Sequence, residues 1–262
     1  MSPGEIPFFC SPAGCEDMLP GACNASDLPR IPMNIELISH TPEPEKSVAL
    51  AARLCYSPAT IAELRKSFDS SDIESFLNKI MSLGHHSVLE HASFTFGIEG
   101  ISRVTSHQLV RHRIASFSQQ SQRYVSHSEE FSSIMPGSIA ANPEARRIFA
   151  FMSETLHKAY SQLVDMGIPP EDARYVLPNA TETKLVMSMN ARELLHFFAL
   201  RCCRRAQWEI REMAVEMLRL VKKVAPVIFR QAGPGCVNGP CPEGPFCCGQ
   251  ADGVRDYFKK LE

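Results

Sequence analysis

The fold is organised around the segment NARELLHFFALRCCRRAQWE, residues 190–209. Apolar residues recur there at every third or fourth position as far as about Val224, two residues before Pro226, which predicts one long amphipathic helix. Asn190, followed three residues later by Glu193, is typical of a helix N-terminus with a capping box. The preceding residues TKLVMSMN predict a strand, so this region indicates a strand that runs directly into a helix.

Apolar patterns outside this segment predict the other elements. Strands are predicted for IELI and for SFTFGIE, where Phe94, Phe96 and Ile98 alternate with polar residues or glycine. Helices are predicted in five further regions, which are residues 43–57, 72–83, 100–113, 143–166 and 171–177. Together these patterns predict an α+β fold, in which long helices pack on a mixed sheet.

The chain divides into three regions by composition. Residues 1–32 are rich in proline and have no helical or alternating period, so we predict an irregular N-terminal extension. Residues 33–231 carry the periodic segments and are predicted to form a single domain. Residues 232–262 are predicted to form a tail that is rich in Cys, Gly and Pro and ends in a short helix.

Charge and hydropathy exclude several classes of protein. The 262 residues contain 27 Lys and Arg against 29 Asp and Glu, a net charge of −2, whereas nucleic-acid-binding proteins usually carry a basic excess. No apolar run reaches the roughly 18 residues of a membrane helix, and the N-terminus lacks a signal-peptide pattern. We therefore expect a cytoplasmic protein that binds neither nucleic acid nor membrane.

The segment RHRIASFSQQSQRY, residues 111–124, combines clustered cations with uncharged polar residues. Three arginines lie there without a nearby acidic residue, although serines and glutamines are plentiful. This pattern favours a site whose negative charge arrives with a phosphate-bearing ligand, since guanidinium groups grip phosphate with two hydrogen bonds. The alternative is a fan of cations that merely stabilises the C-terminus of a helix.

Arg201 stands out because the predicted helix places it within an apolar stripe, between Leu194 and Trp208. A cation there is costly unless it is paired. Either it reaches solvent or a buried partner, or it is held in a dry pocket for an electron-rich ligand.

Two clusters of potential metal ligands are present. The segment GHHSVLEHASF brings His86, Glu90 and His91 close in sequence, without the HExxH order of a zinc helix. The second cluster lies in the tail and comprises Cys236, Cys241, Cys247 and Cys248. Its spacing lacks paired CxxC motifs, so metal binding and disulfide formation both stay open.

Four ordered motifs, which lie between about residues 33 and 249, resemble the flavin-dependent thymidylate synthases. They are GHHSVLEHASFTF, the RHR motif with seven residues before Ser121, EDARYVLP, and MNARELLHFFALRCCRRAQWEIREMA. The resemblance implies a homotetramer with active sites at subunit interfaces. It also implies bound FAD, NADPH as reductant, methylenetetrahydrofolate as carbon donor, and conversion of dUMP to dTMP.

The resemblance also assigns residues by position. The expected flavin contacts are Ser87, Arg111, His112, Arg113, Gln119, Asn190, Arg192 and His196. The expected nucleotide contacts are Gln108, Arg111, Gln119, Ser121, Arg123, Arg174 and Arg201. Arg201 matches the arginine expected to stabilise negative charge on the uracil ring, whereas Gln119 departs from the glutamate of many members.

Two other functions fit parts of the sequence. A relative of this family could methylate a different pyrimidine nucleotide, such as UMP, because the sequence does not reveal how the ribose 2′ position is read. A non-catalytic RNA-binding module could use the Arg-rich segment, although the acidic balance of the chain speaks against it.

Overall fold

A computed structural model describes residues 32–68, 70–125 and 132–261. Its four strands are β1 (Asn34–His40), β2 (Ser93–Ser102), β3 (Ala115–Gln119) and β4 (Glu182–Asn190). Its helices are α1 (Pro44–Leu54), α2 (Ile61–Ser67), α3 (Ser70–Ser82), α4 (Arg103–Leu109), α5 (Gly137–Ala140), α6 (Pro143–Asp165), α7 (Pro170–Ala173), α8 (Ala191–Arg201), α9 (Trp208–Val224), α10 (Pro226–Phe229) and α11 (Ala251–Lys259). Short 3₁₀ turns cover His86–His91, Arg174–Val176 and Gly244–Phe246.

The four strands form one sheet in the order β1-β2-β4-β3, and every neighbouring pair is antiparallel. The α+β class is therefore confirmed, but the prediction of a mixed sheet is wrong for the described residues. β2 and β3 run in the same direction, but β4 lies between them and runs opposite to both, so no two parallel strands are neighbours.

The core lies between one face of this sheet and helices α8 and α9. Phe94, Phe96 and Ile98 of β2 are completely buried, as their alternation predicts. Met187 of β4 stands opposite Phe96 in the register and is buried on the same face. Burial of apolar surface contributes roughly 25 cal/mol per Å² to the free energy of folding. The contact between this face of the sheet and α8 and α9 therefore stabilises the position of the helices that carry the predicted site.

The single long helix predicted from residue 190 to about Val224 is wrong. The chain leaves the helix at Arg201 and enters a new one at Trp208, with a tight turn between them. The Gln207 side chain starts this second helix by accepting hydrogen bonds from the amides of Glu209 and Ile210, both at 3.0 Å. Glutamine is not among the common N-cap residues, so Gln207 gave no signal that a new helix begins. The apolar period also continues across the turn, and the break was therefore not predicted.

Two further elements differ from the sequence predictions. The helix expected over residues 100–113 is confined to α4, because β2 continues to Ser102, whose hydroxyl accepts a hydrogen bond from the Thr105 amide and caps α4. The polar residues that follow form β3, which the sequence analysis missed. Its serines alternate with Ala115 and Phe117, but the pattern covers only five residues.

A buried carboxylate joins α4 to α9. Glu209, which is 2% exposed, accepts hydrogen bonds from the amide and hydroxyl of Ser102, both at 2.6 Å, and from the Thr105 hydroxyl at 2.7 Å. Hydrogen bonds to a charged group contribute about 1.5–3 kcal/mol each. This contact fixes the start of α4, and hence the direction in which the RHR motif leaves it.

The C-terminal tail packs on the same core as the rest of the described chain. Cys236, Val254 and Phe258 are buried and belong to the central apolar cluster. The predicted short helix is confirmed as α11. The predicted N-terminal extension, with its three cysteines, lies outside the described residues apart from its last residue. None of the described helices has the length and apolar character needed to cross a membrane.

Candidate active site

The side chains of Arg201, His112 and Glu193 form a continuous series of hydrogen bonds along α8. The Arg201 Nε–H donates to Nε2 of His112 at 3.0 Å. The other ring nitrogen of His112, Nδ1, lies 3.2 Å from the Glu193 carboxylate. The side chains of His112 and Glu193 are only 4% and 9% exposed. The RHR motif is thus joined to both ends of α8.

The direction of these hydrogen bonds determines the tautomer of His112. Because the guanidinium group can only donate, Nε2 must accept, and the proton of the neutral ring lies on Nδ1, where it is donated to Glu193. Burial lowers the pKa of the His112 imidazole, and this outweighs the hydrogen bond to Glu193, which raises it; the nearby Arg201 lowers it further. A neutral His112 therefore orients Arg201 by accepting its hydrogen bond. Because the ring carries no charge, it does not attract an anionic ligand away from Arg201.

Arg201 occupies the last turn of α8, where the helix dipole favours a cation. The expectation that it lies in a stripe between Leu194 and Trp208 on one helix is wrong, because α8 ends before Trp208. Its second contact is a 3.5 Å hydrogen bond from a terminal nitrogen to the Gln108 carbonyl. Burial lowers the Arg201 pKa, and the charge of Arg111 acts in the same direction, so two guanidinium groups lie close together here.

A second group of cations lies beyond the far end of β3. Arg123 forms a 2.5 Å ion pair with Glu171, which lies on α7. The next residue after α7, Arg174, donates from Nε to the Glu171 carbonyl at 3.0 Å. Ser121 accepts a 3.1 Å hydrogen bond from the Arg123 amide. The structure therefore brings together three of the expected nucleotide contacts.

Arg103 belongs to this second group and was missed by the sequence analysis. It is half-buried, donates to the Gln120 carbonyl at 3.0 Å, and its buried Nε has no hydrogen-bond partner. Burial lowers its pKa, and the charge of Arg174 lowers it further. A buried donor without a partner costs free energy, so an anionic ligand at Arg103 would satisfy it. The sequence offered only an arginine near the start of the helix predicted for residues 100–113.

The two groups are separated by the length of β3. Arg111 and His112 precede this five-residue strand, and Ser121 and Arg123 follow it. A strand of that length spans about 17 Å at 3.3 Å per residue. Within one chain, Arg201 therefore belongs to the group at the start of β3, and Arg123 and Arg174 to the group at its end.

Most of the remaining predicted residues belong to segments near the first group, whereas Gln119 is the last residue of β3 and lies toward the second group. Asn190 caps α8 by accepting a 2.9 Å hydrogen bond from the Glu193 amide, and Gln119 donates at 3.0 Å to the Thr183 hydroxyl. His196 is exposed with its ring edge-on to His112. Four others also expose their side chains; they are Ser87, Arg111, Arg113 and Arg192. Of these, Arg192 pairs with Glu90 at 2.5 Å.

The potential metal ligands do not form a metal site among the described residues. Among the described residues, no group of three or more His, Cys, Asp or Glu side chains is arranged to hold a metal ion. The 3₁₀ turn His86–His91 instead uses Glu90 to pair with Arg192. Cys10, Cys15 and Cys23 lie outside the described residues.

A cavity of about 1120 Å³ lies between α9, α11 and the start of β1. Four arginines contribute to its lining, among them Arg204 and Arg219, and so do Trp208 and Cys248. None of the predicted nucleotide or flavin contacts lines it. The size of this cavity is therefore not sufficient to identify it as the active site.

The fold and these side chains define an α+β protein with two sets of guanidinium groups suited to an anionic, electron-rich ligand. Comparison with known proteins agrees. A family model described as "Thymidylate synthase complementing protein" matches residues 36–227. A flavin-dependent thymidylate synthase of Geobacter sulfurreducens is 63% identical over 230 residues, covering 87% of this chain and 99% of that protein. One from Clostridium tetani is 50% identical over 242 residues, covering 86% and 97%.

The chain belongs to the flavin-dependent thymidylate synthase family. A solved structure extends the likeness to the fold: the UMP/dUMP methylase PolB from Streptomyces cacaoi, bound with 5-Br dUMP, is 26% identical with a TM-score of 0.69. The match covers 76% of this chain and 94% of PolB. The resemblance found in the sequence motifs is thus confirmed.

The lowered pKa of His112 predicts a specific dependence of stability on pH. The unfolded chain, whose imidazole has a pKa of about 6.5, binds more protons than the folded chain just below that pH. The free energy of unfolding should therefore fall as the pH drops below about 6.5, and this contribution should level off below the folded pKa of His112.

Urea unfolding at a series of pH values compares the wild type with His112→Gln. The substitution should flatten the slope in this window, whatever its effect on absolute stability. His107→Gln, at an exposed position in α4, is the matched control. Equal slopes for the wild type and His112→Gln would contradict a neutral, buried His112.

Proposed function

We propose that this protein methylates dUMP reductively to dTMP, with methylenetetrahydrofolate as the carbon donor and NADPH as the reductant of its flavin. The observation that carries the proposal is the fixed orientation of Arg201 by neutral His112 and buried Glu193. A guanidinium group held by one edge keeps its remaining donors in place for a ligand. Family membership supplies the reaction to which this geometry is suited.

Phosphate recognition is assigned to the group beyond β3. Arg103, Arg123 and Arg174 surround the segment that contains Ser121, whose hydroxyl is a further donor. Guanidinium groups bind phosphate with paired, charge-assisted hydrogen bonds. A nucleoside monophosphate anchored there is held by its phosphate, which fixes the orientation of the base before any chemistry.

Arg201 is assigned to the base. Reductive methylation places negative charge on the uracil ring, and a preoriented cation in a partly buried site stabilises charge that develops there. Because His112 already fixes the orientation of the Arg201 guanidinium, this group needs little reorganisation when negative charge develops on the uracil ring. Arg111 adds a second positive charge nearby.

FAD fits the exposed residues around the first group. Among the described residues, neither Arg111 nor Arg113 is engaged in an ion pair, so both have charge available for a pyrophosphate. Ser87, His112, Gln119, Asn190, Arg192 and His196 are the other positions expected to hold the cofactor. When bound, FAD supplies the hydride that this chain's own side chains cannot.

We further propose that the active site is completed at an interface between subunits of a homotetramer. The two cation groups lie about a strand length apart within one chain, so a second copy would bring one group beside the other. The outer face of the sheet supports this arrangement. Ile38 and Val186 are 51% and 41% exposed there, beside a cavity of about 520 Å³ that also reaches Gln119.

UMP is the second candidate substrate. The structural neighbour PolB is named as a methylase of UMP as well as dUMP. Side-by-side turnover of the two nucleotides distinguishes them, and we expect dUMP to be preferred because the more similar relatives are thymidylate synthases.

Purified protein should be yellow, and dUMP should perturb its flavin absorbance. Arg201→Ala should lower dTMP formation by a factor of about 10² to 10³, typical of removing one donor from a site of developing charge. The flavin should stay bound, because Arg201 is assigned to the base.

The exposed Arg65→Ala is the control for these measurements. Retained turnover in Arg201→Ala would remove Arg201 from the mechanism. A colourless preparation that also ignores added FAD would overturn the proposed reaction itself.

Arg103→Gln tests the phosphate subsite. Loss of a charge-assisted hydrogen bond costs about 1.5–3 kcal/mol, so the dissociation constant of dUMP should rise roughly 10- to 150-fold. Deoxyuridine, which lacks the phosphate, should bind equally weakly to both proteins. Arg103→Lys should restore part of the affinity, and the exposed Arg147→Gln on α6 should bind dUMP normally. An unchanged dUMP affinity in Arg103→Gln would show that this half-buried cation serves only the fold.

A further inference from the structure

The cavity of about 1120 Å³ between α9, α11 and the start of β1 has no role in the proposed reaction. One face of α9 contributes to its lining, because the lining positions recur every three or four residues from Trp208 to Arg219. Helix α11 contributes Val254 and Phe258, and β1 contributes Ile35. The cavity therefore combines apolar side chains with the charged residues of α9 and of the turn that precedes it.

Positive charge exceeds negative charge in this lining. Four arginines and two glutamates contribute to it, which leaves an excess of two positive charges. Arg219 is already compensated, because it pairs with Glu216 at 2.7 Å and donates to the Tyr257 hydroxyl at 3.1 Å. The excess therefore belongs to the end of the cavity where α9 begins.

The three arginines at that end have no acidic partner among the described residues. They are Arg204, Arg205 and Arg211. Arg204 donates to the side-chain oxygen of Gln250, and Arg211 donates to the Arg204 carbonyl at 3.1 Å. These acceptors are neutral, so they orient the two guanidinium groups without cancelling their charge. Because each guanidinium has five N–H donors, most of the donors remain available for a ligand.

Trp208 adds an aromatic surface beside these cations. It is half-buried and lies three residues before Arg211, on the same face of α9. Nucleobases stack on aromatic side chains, and guanidinium groups bind phosphates with paired hydrogen bonds. Since three arginines lack an acidic partner, a ligand with several phosphates matches their charge better than a monophosphate does.

We propose that this cavity binds a nucleoside triphosphate, with the phosphates on Arg204, Arg205 and Arg211 and the base against Trp208. None of the residues assigned to dUMP or FAD lines the cavity, so this is an additional nucleotide site. Glu212 belongs to the same lining and is exposed. Its negative charge opposes that of the phosphates, so removal of this carboxylate should strengthen binding.

The sequence contains a single tryptophan, so tryptophan fluorescence reports directly on this cavity. The full-length protein, as purified and saturated with dUMP, is titrated with ATP while this fluorescence is recorded. We expect a saturable change that weakens as salt is added, because the ligand is held by its charge. Adenosine, which lacks phosphates, and inorganic triphosphate, which lacks a base, should each bind about tenfold or more weakly than ATP.

Charge variants distinguish a built site from general attraction of an anion. Arg205→Gln and Arg211→Gln should each raise the dissociation constant of ATP by about tenfold or more, because a charge-assisted hydrogen bond is lost. Glu212→Gln should lower it roughly two- to fivefold, because a repulsive charge is removed. Arg147→Gln, at an exposed position of α6, is the matched control and should bind ATP as the wild type does.

Three results would each overturn the proposal. They are an unchanged fluorescence at millimolar ATP, an unchanged ATP affinity in both Arg205→Gln and Arg211→Gln, and an equal affinity for ATP and inorganic triphosphate. The variants should bind FAD and dUMP normally, which shows that they are folded. Because no readout involves turnover, a failure of this proposal is distinguishable from a failure of the proposed function.

Discussion

The buried carboxylate of Glu193 fixes the orientation of the side chain that is predicted to contact the uracil ring. Glu193 lies in the first turn of α8 and holds His112, which in turn holds Arg201 in the last turn of the same helix. The three side chains tie the RHR motif to a helix that is anchored in the core by Phe197 and Phe198. A buried ionised group is costly unless its partners are in place, so this arrangement tolerates little displacement. The orientation of Arg201 is thereby built into the folded chain.

The positions of the other cations in the site are determined by the short helices that connect the strands of the antiparallel sheet. Glu209 fixes the start of α4, where Arg103 lies, and α4 leads into the RHR motif. The strand β3 then carries the chain to Ser121 and Arg123, and α7 brings Arg174 to the same place through Glu171. Cations from distant parts of the sequence thus form two groups, which suit the two ends of a nucleotide. Our proposal of an intersubunit site gives a reason for their separation within one chain.

Much of the fold was predictable because burial imposes periods on the sequence. The alternation of Phe94, Phe96 and Ile98 predicted the buried face of β2 correctly, and the helix predicted for residues 72–83 is found as α3, which ends at Ser82. The break between α8 and α9 was not predicted, because Gln207 is an uncommon cap and the apolar period runs on across the turn. The strand β3 was missed because its alternation covers only five residues, with Ala115 and Phe117 as the apolar positions. For the site, motif resemblance named Arg201 and His112, but the pairing through Glu193 and the unpartnered Nε of Arg103 depend on tertiary contacts that no local pattern records.

The tautomer of His112 is the most direct test of this account. Nitrogen NMR of protein labelled at histidine, with the His112 signals assigned by comparison with His112→Gln, reports the proton on each ring nitrogen. At pH 7 we expect a neutral ring with the proton on Nδ1 and an unprotonated Nε2 that accepts from Arg201. An imidazolium, or a ring protonated at Nε2, would contradict the proposed orientation of Arg201.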